Sequence, residues 1–157
     1  MLKYLAPAAV ALSLVSVPAT AQQVTASSPS SVVSALHSEG YQAQLTKDKD
    51  GDPLIKSSSG GAKFVIFFYG CKDGSQCTTI QFYYGFSTPS QFPLARTNEW
   101  NRKKRFGRAQ VDSSGDPTLE FDLNLDHGGS SLPLFVDNLN IWTVVMGQYR
   151  DFIRQTD

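Results

Sequence analysis

An excess of charge of one sign is the first thing this 157-residue chain lacks, since 14 lysines and arginines stand against 14 aspartates and glutamates. Such a balance supplies no general pull toward nucleic acid or anionic lipid, both of which select a basic surplus. Cysteine is scarce, with only Cys71 and Cys77, and histidine is limited to His37 and His127. Beyond the first twenty residues no apolar stretch stays free of charge long enough to cross a bilayer. Internal repeats, a Ser/His/Asp constellation and a phosphate-binding loop are all missing from the sequence. No cofactor is implied by any motif.

What is present begins with an address. Lys3 opens a short basic region, an apolar run extends from Leu5 to Val17, and Ala19-Thr20-Ala21 follows directly. A run this short with small residues behind it predicts a secretory signal over 1–21, with Gln22 as the mature N-terminus. No cysteine stands there to take a lipid, so the expected location is periplasmic or secreted, in an oxidising compartment. Loss of Lys3 leaves a net charge of about −1. The remaining length suits one domain with a single core. Residues 22–30 are small and polar and read as a disordered lead-in to a domain over 31–157.

Within that domain the spacing predicts a helix over 31–39, with Ser30 or Ser31 as N-cap and Gly40 beyond its end. Two short polar strands, 41–47 and 54–57, read as edge strands around the turn Asp48-Lys49-Asp50-Gly51-Asp52-Pro53. Strands 64–69 and 79–86 are far more apolar, with apolar residues at both parities. Residues 94–104 suit a helix packing through Leu94 and Trp100. The pair 106–112 and 118–126 turns near Ser114/Gly115. In the second of these, Leu119, Phe121, Leu123 and Leu125 alternate with Glu120, Asp122, Asn124 and Asp126. That turn sets Val111 opposite Leu119, Ala109 opposite Phe121 and Arg108 opposite Asp122. A last helix is expected over 132–153, where Leu132, Phe135, Leu139, Trp142, Met146, Tyr149 and Ile153 form a 3-4 seam. Ile141, Val145 and Phe152 lie beside the seam and predict cover from a second side, by another copy or a protein client. The order α-β-β-β-β-α-β-β-α predicts an α+β fold on an antiparallel sheet.

Several of these segments resemble one family. Phe82-Tyr83-Tyr84-Gly85-Phe86, Asn98-Glu99-Trp100-Asn101, Arg105-Phe106-Gly107-Arg108-Ala109 and Gly115-Asp116-Pro117 are similar to the YbjN family of bacterial sensory transduction regulators. Leu119 to Leu125, Gly128-Gly129 and Phe135-x-Asp137-Asn138-Leu139-x-x-Trp142 extend the likeness over roughly 31–153. The resemblance implies a fold like that of type III secretion chaperones, whose work is to bind partner proteins. It implies no reaction and no catalytic residues.

Candidate sites follow from the residues themselves. Cys71 and Cys77 close a short loop and read as a structural staple in an exported chain, with redox or zinc chemistry less well served by their spacing. Asp48, Asp50 and Asp52 fail the calcium-loop pattern at its sixth and twelfth positions, Pro53 and Ser59, and read as a solvated turn. Arg102 to Arg105 with Arg108 suit a helix C-terminus better than a phosphate site. Glu120, Asp122 and Asp126 with His127 offer paired carboxylates for a small hydrolase or glycan-binding enzyme, or else an ordinary solvent-facing strand. Val65, Phe67, Tyr69 and Tyr83 form an exposed partner-binding patch if helices cover only one sheet face, and a buried layer if the sheet is sandwiched. The resulting expectation is an exported, non-enzymatic protein-binding module.

Overall fold

A computed structural model describes residues 22–155; the signal expected at 1–21 lies outside the described residues. The elements are β1 (Gln23–Val24), α1 (Pro29–Ser38), β2 (Ala43–Lys47), β3 (Pro53–Ser59), β4 (Ala62–Tyr69), β5 (Thr79–Gly85), α2 (Leu94–Lys103), β6 (Arg108–Val111), β7 (Pro117–Asn124), β8 (Ser130–Ser131) and α3 (Leu132–Arg154). This is the α+β order read from the sequence, with two 2-residue strands added. The main sheet has six antiparallel strands in the order β2-β3-β4-β5-β7-β6.

The lead-in over 22–30 is ordered instead of disordered. Val24 and Ala26 are its two small apolar residues with a place in the core, and both are fully buried. Burying them ties the segment down: β1 pairs with β8, and the Leu132 N–H donates to the Gln22 carbonyl at 3.0 Å. Gly129 permits the approach, because a Cβ there would lie 2.2 Å from the Val24 oxygen. Its φ of +77° is a conformation that glycine adopts at no steric cost. Helix α1 starts earlier than expected, with Pro29 in its first turn. Ser31 does not cap it; its hydroxyl accepts from the Thr25 N–H at 3.0 Å and donates to the Ser28 carbonyl at 2.7 Å.

Of the two strands expected at edges, only β2 is one. β3 lies between β2 and β4, because Leu54 and Ile55 are both buried and need cover that an edge cannot supply. The other edge is β6. The β6–β7 register also differs from expectation by two residues: Ala109 pairs with Leu119, Arg108 with Glu120 and Val111 with Pro117. The Asp112 carboxylate accepts from the Ser114 and Asp116 N–H groups at 2.8 and 2.9 Å and closes a tighter turn. A shift of two preserves every side chain's face, which is why the polar and apolar parities hold while the partners change.

Helix α3 carries the core. Phe135, Leu139, Trp142, Met146, Tyr149 and Ile153 are buried along the expected seam, while Leu132 is half-buried. Trp142 stacks on Phe82 at 5.5 Å and meets Phe64 edge-on at 5.9 Å. Helix α2 packs on α3 through Trp100, 4.8 Å from Tyr149, and on β6 through Asn101, whose side chain bonds the Ala109 N–H and carbonyl. Leu94, expected in this contact, is exposed, and Thr97 takes the second buried position. Arg96 donates to the Phe152 and Gln155 carbonyls and so satisfies the open end of α3.

Candidate functional site

Strands β4 and β5 place apolar residues on both faces, yet the helices cover only one. Along β4, Phe64, Ile66 and Phe68 are buried under the helices, whereas Val65 and Phe67 are half-buried and Tyr69 is 46% exposed. The second face therefore presents an aromatic surface. The register sets Phe67, Gln81 and Asp122 in one row across the sheet, and Val65, Tyr83, Glu120 and Arg108 in the next. The Phe67 ring meets Tyr83 edge-on at 5.6 Å and Tyr69 at 6.3 Å.

One hydrogen-bonded network holds this surface. Tyr69 donates to Gln81 Oε1 at 3.3 Å, and Gln81 Nε2 donates to Asp122 at 2.8 Å and to Glu120 at 3.4 Å. Glu120 Oε2 also accepts from Arg108 at 2.5 Å and Gln110 at 2.6 Å. Three donors on one carboxylate oxygen lock the Glu120 side chain in place. The bond to Glu120 raises the Arg108 pKa. Burial, followed by the charges of Glu120 and Asp122, pushes the Tyr69 hydroxyl above its usual 10. Burial does the same for Tyr83, followed by Asp112 and Glu120. Both phenols therefore stay neutral donors at neutral pH.

Arg108, expected beside Asp122, pairs with Glu120 instead, as the shifted register requires. The four residues considered for acid/base work do not converge. Glu120 is occupied by its network, Asp122 is exposed beside Gln81, and Asp126 and His127 lie past the end of β7. There Asp126 accepts from the His127 N–H at 2.8 Å, and the exposed imidazole Nε2 lies 3.6 Å from the same carboxylate. Cys71 and Cys77 are joined by a disulfide across the tip of the β4–β5 connection, with Cα atoms 3.8 Å apart. Asp48 accepts from the Asp50 and Asp52 N–H groups at 2.9 Å each, a self-contained turn. Among the described residues no group of three or more His, Cys, Asp or Glu side chains is placed to hold a metal ion.

On α3, the residues expected to share an outer edge separate. Ile141 and Val145 join Phe106, Asn140 and Val144 around a hollow of about 360 Å³. Phe152 lies elsewhere, covered by the Arg96 guanidinium at 4.6 Å and Trp100 at 5.4 Å. Sequence reasoning missed Gln81, whose signal was a lone amide inside an apolar strand, and Phe106, whose signal was its place before Gly107.

The fold and its surface define a class: an α+β domain with a helix-covered sheet face and an open aromatic one. The YbjN family model, described as "Putative bacterial sensory transduction regulator", matches residues 28–155, and the chain belongs to this family. That description names a regulator and no reaction. No curated protein and no solved structure matches the chain. Among the described residues no helix is long and apolar enough to cross a membrane.

Proposed function

We propose that this chain is an exported, non-enzymatic regulatory module that binds a protein partner, in a chaperone-like manner, on the open face of its sheet. The observation that carries the reading is the uncovered set Phe67, Tyr69 and Tyr83, pinned by the Gln81–Glu120–Arg108 network. Aromatic rings bring large contact area with little rotamer entropy to lose, and a network that is already ordered lowers the cost of binding further. Asp122, exposed at the border of the rings, suits a basic group on the partner. Export rests on Lys3, the run Leu5 to Val17 and Ala19-Thr20-Ala21.

The test is a photo-crosslinking side chain at Tyr69, compared with one at Glu39, exposed at the end of α1, in cells expressing the full chain. Adducts of one defined mass at Tyr69, lost with Phe67→Ala, support the reading; equal adducts at both positions, or none, sink it. Cell fractionation with mass analysis of the N-terminus tests export separately, and a cytosolic chain still starting at Met1 would overturn it.

A further inference from the structure

Among the described residues six large apolar side chains are exposed; three of them gather in one place, while Leu45, Tyr69 and Leu94 lie apart on β2, β4 and α2. Phe106, Leu134 and Val144 are 49%, 55% and 58% exposed, and all three belong to the outer edge of α3 or the rim beside it. Phe106, Ile141, Val144 and Val145 line the hollow of about 360 Å³ with Asn140 as its one polar neighbour. Phe106 holds a left-handed backbone, φ +57°, which is disfavoured for a bulky aromatic residue. The next residue, Gly107, is pressed so closely that a Cβ would lie 3.1 Å from Val145 and 3.2 Å from Leu119. The ring is thus held at the surface by a tight turn that is unfavourable for it: it meets Phe121 edge-on at 6.2 Å and stays half in water.

We infer that this edge is covered by a second copy of the same chain, with the two α3 helices antiparallel about a two-fold axis between Ile141 and Val144. The order of residues along the edge is self-complementary in that arrangement. An axis near the middle of 141–144 sets Ile141 against Val144 and, one turn further out, Asp137 against Gln148. Gln148 accepts from Lys104 Nζ at 3.1 Å, so the Asp137 carboxylate of each copy meets the Lys104 ammonium of the other. Arg105, whose guanidinium lies 5.5 Å from the Phe106 ring, adds to the same basic rim. A parallel pairing would set acid on acid and base on base, and would align the helix dipoles unfavourably. The open sheet face takes no part in this contact, so the pairing leaves it free.

The test is sedimentation of the full chain, purified as the cell produces it. The expected result is a dimer of twice the mass of the purified chain that becomes monomer in Val144→Glu with its circular dichroism unchanged, because Val144 is already exposed, and with an unfolding temperature that no longer rises with protein concentration. Asp137→Lys and Lys104→Glu should each weaken the dimer about 10-fold or more, and the two together should restore it. A chain that stays monomeric up to about 1 mM, or a dimer indifferent to Val144→Glu, overturns the inference. A dimer that loses nothing with either charge reversal overturns the antiparallel arrangement.

Discussion

The two faces of the central sheet are built from the same strands and almost the same residue types, and they do opposite things. On one face Phe64, Ile66, Phe68, Ile80 and Phe82 are sealed under the helices. On the other, Val65, Phe67, Tyr69 and Tyr83 alternate with them one position along and stay partly in water. What differs is the supply of cover: α3 has a wide apolar arc but lies over one side only. The aromatic rings of the second face are then retained alongside polar side chains that bond to one another instead of to a core. A face organised in this way resists collapse and keeps its shape for a partner.

The comparison breaks most readily at its largest expected effect. Trp142→Ala, on the sealed face, should cost about 3 to 5 kcal/mol in urea unfolding, whereas Phe67→Ala on the open face should cost about 1 kcal/mol. Equal losses would mean that the second face is core as well.

Next in size is the disulfide at the end of both faces. Replacing Cys71 and Cys77 together by alanine should cost about 2 kcal/mol by the chain-entropy estimate, less if the hairpin already holds its ends together. Hydrogen exchange should show the loss confined to the β4–β5 tip. A collapse of the whole sheet would show that the tip organises both faces.

The polar network gives a smaller and sharper contrast. Glu120→Ala strands Arg108, Gln110 and one Gln81 bond and should cost about 1 kcal/mol; Asp122→Ala should cost no more than about 0.5 kcal/mol. The reverse order, measured by denaturant midpoints, would return the register to the one in which Arg108 meets Asp122.

The smallest effect at neutral pH becomes visible in alkali. The Tyr149 hydroxyl is buried without a partner among the described residues, and burial followed by the nearby Tyr84 raises its pKa well above 10. Tyr69 and Tyr83 are raised as well. A phenol whose folded pKa lies above its unfolded one keeps more protons in the native state, so stability falls as pH rises above about 10. Tyr149→Phe should change stability at pH 7 by less than about 1 kcal/mol and flatten the alkaline loss. An unchanged alkaline slope would assign the loss to Tyr69, Tyr83 and the buried Tyr84, whose pKa burial also raises.

Much of this architecture was legible in the chain alone, for physical reasons that operate locally. The α3 seam follows from helical periodicity, and the alternation in β7 follows from the pleat. Both survive because burial and periodicity agree there. The α+β order and the family likeness also required nothing beyond local pattern.

The rest depended on which segments meet. Whether apolar residues at both parities of β4 and β5 are doubly buried is a question of where α1, α2 and α3 lie, and no strand encodes that by itself. The β6–β7 partners turned on one side chain, Asp112, closing a turn two residues tighter, a change that leaves every parity intact and so has no signature in the hydrophobic pattern. Residues 22–30 read as a small, polar lead-in, yet the groove beside β8 and α3 buries Val24 and Ala26 completely. Local residue order determined the elements, their faces and the core seam. Only the tertiary structure decided which faces are covered, because cover is a property of the whole packing and belongs to no single segment.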